Sequence, residues 1–462
     1  MSKFDLKTIN KEISKYEKLI KLNKLDIENR LKLTKYILIA LKSLDESSFN
    51  ETNNIAVVIS DYVLLAFKMV QEVIKIDDKH SEAYFLAAQI GFLSLMTFNQ
   101  KSIFDQTVIY FEKAIEYSNN NNIIDLYLNY SIFLSYFASV NENEKENKKI
   151  LIKAVDLLKK IIEIEQNDYN YYNYLGNTLF QLAVYENKTA AKKTLNEAIE
   201  AYNKSLSLNL TDYMVYNGLA FTQLTLSDFE STIKAKESLL LKSAENYEKV
   251  ISFNVDDYVP YRNYGEVLRN LSHLKKKKEE ILSLLEKGLK IIKKATELAG
   301  DYFDYDLYAL LRVILAESAS YYSDKNTKIT LYTQLKELSE KLLEIDEEDF
   351  NNYYELGKSY YYLGTFEENN GIKEKMFEKS VELFEVLAKK GVIDIEINYK
   401  FAVILKDLAN LKADKKEKSD LLKKARKFIK KVIEEASFNP SISDFEFKTF
   451  LTAVEKELKE LK

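Results

Sequence analysis

Asp168-Tyr169-Asn170-Tyr171-Tyr172-Asn173-Tyr174-Leu175-Gly176 decides the fold, because the chain says it again. It returns as Asp212-Tyr213-Met214-Val215-Tyr216-Asn217-Gly218-Leu219-Ala220 and as Asp257-Tyr258-Val259-Pro260-Tyr261-Arg262-Asn263-Tyr264-Gly265. A further copy is Asp349-Phe350-Asn351-Asn352-Tyr353-Tyr354-Glu355-Leu356-Gly357. Taking the small or apolar residue that closes each copy as a mark gives Thr34, Ala88, Ser131, Gly176, Ala220, Gly265, Leu311, Gly357 and Ala402. Successive marks lie 54, 43, 45, 44, 45, 46, 46 and 45 residues apart, the first interval being stretched by a polar insert, Asp45 to Asn54. Repetition at this period signals stacked units, none of which can bury its apolar face alone.

Each copy reads as the start of a helix. Asp26, Asp168, Asp212, Asp257, Asp349 and Asp394 stand eight residues before a mark, and Asp there caps the otherwise unpaired first-turn N–H groups. Tyr84, Tyr127, Tyr172, Tyr216, Tyr261 and Tyr353 stand four before a mark, so aromatic and small residue share one helix face. A second helix follows, with a small residue and then apolar residues at helical spacing: Ala198, Tyr202, Ser205 and Leu206; Ser380, Phe384, Leu387 and Ala388; Ala425, Ile429, Val432 and Ile433. Gly300 and Gly391 fit C-terminal caps, and Pro260 falls in a first turn that tolerates it. The expected architecture is all-α, with about twenty helices. A leader helix lies in 1–25, about nine helical hairpins in 26–440, and a capping helix in 441–462.

Composition agrees. Two Pro and ten Gly in 462 residues leave few helix breakers. Without Cys there are no disulfides, thiolate chemistry or Cys-ligated zinc. The charged N-terminus shows no apolar signal region, and the run Ile55 to Phe67 is too short to span a bilayer, so a cytoplasmic protein without membrane spans is expected. A net charge of −5 argues against a nucleic-acid binder. His80 and His273 each lack a partner in sequence, and no Gly-rich phosphate loop is present. The expectation is therefore no enzyme, no catalytic residue, no cofactor and no metal.

With the motifs in place, the chain resembles the tetratricopeptide repeat (TPR) family. Tyr172, Leu175, Gly176, Ala198, Tyr202 and Ser205 carry the resemblance best. The units are longer than the family's usual 34 residues, and Leu210 and Val255 stand where its closing proline usually lies. The resemblance implies a right-handed α-solenoid whose inner wall is built from the first helices and binds peptides or protein segments.

On that wall the resemblance places the positions three before, one after and four after each mark. In the central repeats they include Asn173, Asn177, Asn217, Phe221, Arg262, Glu266, Arg269 and Arg312. Arg is scarce, at five residues (Arg30, Arg262, Arg269, Arg312 and Arg426) among 67 Lys plus Arg. Its planar fork binds carboxylate bidentately, and Asn offers a donor and an acceptor to a peptide backbone. The expected partner is a protein or peptide, acidic or bearing a C-terminal carboxylate. Against this, Arg262 and Arg269 have Glu266 on their own helix as a plain surface partner. Tyr354 and Tyr361 are expected to extend the wall. A second function class is structural self-assembly through edges or end helices, and a third is an accessory subunit of a larger complex.

Overall fold

The computed structural model describes residues 6–43, 55–119, 122–392, 394–438 and 444–461. The polar insert at 45–54 and Pro440 lie outside the described residues. The described residues contain no strand. Their α-helices are α1 Leu6–Leu22, α2 Ile27–Ser43, α3 Ile55–Ile76, α4 Ser81–Phe98, α5 Phe104–Glu116, α6 Ile123–Val140, α7 Glu144–Ile164, α8 Tyr169–Val184, α9 Lys188–Leu208, α10 Tyr213–Ser227, α11 Ile233–Ser252, α12 Val259–His273, α13 Lys278–Ala299, α14 Tyr305–Tyr321, α15 Lys325–Ile345, α16 Phe350–Phe366, α17 Asn370–Lys389, α18 Ile395–Leu411, α19 Lys415–Ser437 and α20 Phe445–Glu460. A 3-10 turn, Lys101–Ile103, precedes α5.

By packing, the chain divides into two compact units, Met1–Glu230 and Ser231–Lys462. In the first, the hairpins α2–α3, α4–α5, α6–α7 and α8–α9 each pack on themselves and on the next, and α10 closes the stack against α9. In the second, α11 packs on α12, followed by the hairpins α12–α13, α14–α15, α16–α17 and α18–α19, with α20 against α19.

The helix starts follow from the acids that precede them. Asp168, Asp212, Asp349 and Asp394 accept from the amides of Asn170, Met214, Asn351 and Ile397, each such cap being worth ~1 kcal/mol. Asp257 takes the Val259 amide at 2.9 Å but stands one residue before the N-cap of α12, Tyr258. Second helices are capped too, by Asn143, Asn187, Thr232, Asp324, Asn369 and Asp414. Gly300 and Gly391 follow the ends of α13 and α17 with φ of 55° and 76°, positive values that glycine adopts without strain.

The marks are where the two helices of a hairpin meet. A Cβ placed on Gly176 would lie 2.7 Å from the Tyr202 ring, and one on Gly357 2.8 Å from Phe384. Each glycine is the hole and each second-helix aromatic the knob. Tyr202 also fills the space beside Gly218, so one buried ring locks α8, α9 and α10 together. Of the motif's aromatics, Tyr84, Tyr216 and Tyr261 are buried, and Tyr127, Tyr172 and Tyr353 are half-buried.

Among the described residues one helix, Ile123–Val140, is long and apolar enough to cross a membrane. Its apolar character has a local use, since Leu126, Tyr130, Phe133, Leu134 and Phe137 are buried in the stack, and Tyr130 stacks on Phe111 at 4.8 Å.

Candidate interaction face

In the first unit, α8 and α10 place Asn173, Asn177, Asn217 and Phe221. Asn177 is exposed, yet its side chain is held. Its Oδ1 accepts from the Tyr202 hydroxyl at 2.8 Å, and its Nδ2 donates to Asn173 Oδ1 at 3.3 Å. The knob of the α8–α9 hairpin thus orients an amide on the outer face. Burial pushes the Tyr202 pKa upward, so its hydroxyl stays a donor. On α10, Phe221 is 36 % exposed and its ring meets Phe180 of α8 at 5.2 Å. One turn before it, Asn217 holds its Oδ1 buried without a hydrogen-bond partner. The face therefore offers an amide and an exposed ring, with an unsatisfied acceptor buried beside them.

In the second unit, α12 places Arg262, Glu266 and Arg269. Arg262 Nη1 donates to Asp304 at 2.9 Å. Asp304 caps α14 and also accepts from the Tyr258 hydroxyl at 2.9 Å. Burial works to raise the Asp304 pKa, but the Leu307 amide, Tyr258 and Arg262 outweigh it and hold the carboxyl below its ordinary value. Arg269 pairs with Glu317 of α14 at 2.8 Å, and His273 reaches the same oxygen at 3.0 Å. Glu266 is exposed. Both guanidiniums are about a quarter exposed and bind acids of the next first helix.

Arg312 requires a correction. With Leu311 as the mark, Arg312 is expected on the inner wall. The cap of α14 is Asp304, and eight residues on from it is Arg312. Arg312 thus occupies the mark itself, where other copies carry Gly, Ala, Ser or Thr, and it is 4 % exposed. It bonds Asp349 at 3.0 Å and also Asn352 of α16. Asn352 is fully buried and donates to the Tyr305 hydroxyl at 3.1 Å. A cation in a core slot is thus matched by a polar residue three beyond the next cap, where Tyr171, Val215, Pro260 and Leu307 stand in other copies. Tyr361 is corrected likewise. It is 7 % exposed, its hydroxyl bonds Asp407 at 2.7 Å, and it lies in the core. Tyr354 is half-buried and bonds Glu396 at 2.6 Å.

The histidines have ordinary uses. His80 Nδ1 caps α4 by accepting from the Ala83 amide at 3.3 Å, and His273 joins Glu317. Among the described residues no group of three or more His, Cys, Asp or Glu is placed to hold a metal ion. One feature escaped the sequence reading altogether, a cavity at α3, α4 and α5 whose signal was Gly91.

Small first-helix residues receive large second-helix residues at a period near 45, which makes the chain a TPR-like array of helical hairpins. No protein-family model and no curated protein sequence matches it. Among solved structures it is similar to the C-terminal part of a TPR repeat-containing protein from Cytophaga hutchinsonii, at 15% identity and TM-score 0.40, covering 66% of this chain and 98% of that one. It is also similar to a signal transduction ATPase with a tetratricopeptide repeat sensor from Pyrococcus horikoshii, at 17% identity and TM-score 0.38, covering 95% and 66%. A third is a TPR protein with an unusual peptide-binding site, at 15% identity and TM-score 0.33, covering 52% and 97%.

Proposed function

We propose that the chain is a non-enzymatic protein-interaction scaffold. It holds a peptide or protein segment against the face of α8 and α10, through Asn173, Asn177, Asn217 and Phe221. The observation that carries this reading is Asn217 Oδ1, buried and unpartnered one helical turn from the exposed Phe221 ring. An acceptor left in that state costs ~1–3 kcal/mol. The atom is closed to water in this structure, so a backbone N–H of a bound segment would satisfy it once the Asn217 amide turns outward, while Asn177 presents an amide oriented by Tyr202. Arg262, Glu266 and Arg269 form a separate polar face on α12. There an acidic segment would compete with Asp304 and Glu317 for guanidiniums already paired, so the uncharged face of α8 and α10 is the better candidate. Net charge −5 favours a protein segment over a polyanion.

A photo-crosslinking residue at position 221, with another at exposed Ile152 of α7 as a control, tests this in native lysate. The expected result is capture of a different protein from 221 and none from 152, lost when Asn217 is replaced by Leu. Capture from 152 alone would overturn the face, capture of a second copy of the chain would favour self-assembly, and capture of RNA would overturn the partner class.

A further inference from the structure

The copies of the repeat differ most at the second hairpin. Its second helix, α5, has 13 residues, while α7 has 21 and α13 has 22. The connection before α5 turns through Asn99, at φ 50°, and the 3-10 turn. Three residues after the mark, other copies carry a large side chain packed inward: Ile37, Leu134, Leu179, Leu268, Leu315 and Leu405 are all buried. The second hairpin carries Gly91 there. Facing it is Thr107, where other second helices have Ala154, Ala198, Gly288, Ser380 or Ala425. Thr107 approaches Gly91 so closely that no Cβ fits between them. The large and small partners have changed places, and Thr restores less volume than the missing Leu.

Beside this exchange lies a cavity of about 220 Å³, open to the surface, lined from α3, α4, the 3-10 turn and α5. Its inner wall is apolar, with Val63 and Phe67 of α3, Ala87 and Ile90 of α4, and Ile103. The rim carries Leu64, which is 62 % exposed, and the exposed amides of Gln100 and Gln106. None of the lining residues is Asp, Glu, Lys or Arg, although these make up 30% of the chain. An ionised group placed there would lose its hydration without compensation. The volume suits one side chain, below the usual range for drug-sized ligands, and the amides at the rim match the donors and acceptors of a peptide main chain.

We infer that this cavity is an anchor pocket, taking one uncharged apolar side chain, of Leu to Phe size, from a bound protein segment. The inference rests on the scaffold reading for the source of that side chain, but it concerns a different place on the first unit and is tested without a natural partner. Methyl NMR of the full chain, labelled at Ile, Leu and Val, is titrated with N-acetyl-leucinamide, N-acetyl-phenylalaninamide, N-acetyl-aspartamide and toluene. The two apolar capped residues should give saturable shifts at the methyls of Val63, Leu64, Ile90 and Ile103, and the aspartyl probe should give none. Leu64→Lys, at an exposed rim position that leaves the core intact, should weaken binding about tenfold or more. Ser94→Leu, which fills the wall from α4, should abolish it. The inference is overturned by absence of saturable shifts, by equal shifts from the aspartyl probe, by binding of toluene alone, or by wild-type affinity in Leu64→Lys. Probe binding with no crosslinking at 221 would leave the pocket standing and remove the α8–α10 face; crosslinking without probe binding would do the reverse.

Discussion

Arg312→Met removes a buried guanidinium while keeping most of its stem, and the structure sets the scale of the loss. Arg312 Nη1 lies 3.0 Å from Asp349 Oδ2. At an effective dielectric of about 20 this attraction is at most ~5 kcal/mol. Asp349 keeps the Tyr305 hydroxyl, the Asn351 amide and some contact with water, its side chain being 17% exposed. The cost should therefore fall near the lower end of the range for broken buried pairs, about 3 kcal/mol. Asn352→Leu alone leaves the ion pair and should cost ~1–2 kcal/mol. In the double variant the buried position on α16 becomes apolar, as in most other copies, so the two costs should fall short of adding by at least ~1 kcal/mol. Because a repeat array need not unfold as one, the assay is native-state hydrogen exchange of the α14 and α16 amides in low denaturant. A cost for Arg312→Met below ~1 kcal/mol, or strict additivity in the cycle, would refute the account of Arg312 as a core cation held by its neighbours. The pH dependence supplies a second check. Burial alone would raise the Asp349 pKa, but Tyr305, the Asn351 amide and Arg312 bring it below its ordinary value. Its contribution is then complete above about pH 4 and fades as pH falls through the lower folded value. Arg312→Met should flatten that acid loss.

Gly176→Ala forces a methyl against the Tyr202 ring and should cost ~1–3 kcal/mol by overpacking. Gly371→Ala, whose Cβ would meet only Asn369 at 3.4 Å, should be neutral or stabilising in the same thermal melts. Arg269→Ala leaves Glu317 with His273 at 3.0 Å. With both partners about a quarter exposed, the change should be about 1 kcal/mol and shrink with salt, and a much larger loss in urea titrations would contradict the assignment. Tyr264 has its pKa pushed up to about 12, chiefly by burial. The stability linked to it is complete below its unfolded value, about pH 10, and is lost as pH rises through the folded value. Tyr264→Phe should therefore reduce the alkaline loss of stability, and it should leave the phenolate absorbance gained up to pH 11 nearly unchanged, because Tyr264 stays largely un-ionised there.

The period, most of the first-helix caps and the two helices of each unit are legible in the sequence, because each depends on chemistry within one helix or one hairpin. Asp168 predicts Gly176, and Ala198 predicts Tyr202, by spacing alone. What escaped the sequence depends on phase or on the next repeat. Shifting the seventh cap by one residue, from Phe303 to Asp304, moves Arg312 from the inner wall to the core. The partners of Arg262 and Arg269 lie 42 and 48 residues along the chain, far outside the range of same-helix pairing. The clue was the period itself, since a contact near 45 residues away is the neighbouring copy of the same surface. The cavity went unnoticed because one glycine among helical residues draws no notice until the copies are aligned on the mark.

Arginine scarcity is a chemical signal that, at two of the five arginines, marks covered ion pairs rather than a face. The Arg30 and Arg312 side chains are 6% and 4% exposed, and they join Glu72 and Asp349 in pairs largely closed to water. Many lysine pairs between helices lie in the open, with Lys153, Lys287 and Lys424 at 43%, 47% and 55%. A weakly hydrated planar fork tolerates burial better than an ammonium, which suits Arg30 and Arg312 to their covered pairs, whereas Arg426 on α19 is exposed. Lys412 is the informative exception, a largely covered lysine whose pKa is raised by the hydrogen bonds it donates to Glu374 and Glu378. Recognition then has to be sought where the copies differ without a packing reason. The position just after the mark is such a place: Lys35, Gln89, Ile132, Asn177, Phe221, Glu266, Val313, Lys358 and Val403. The marks, Arg312 aside, stay small so that the helices can meet, while their neighbours span nearly the whole range of side-chain chemistry. Packing constrains the first position and leaves the second free, and freedom of that kind is what a binding face needs. Exposed Asn177 and Phe221 occupy this position in adjacent first helices, where a bound segment would read them together.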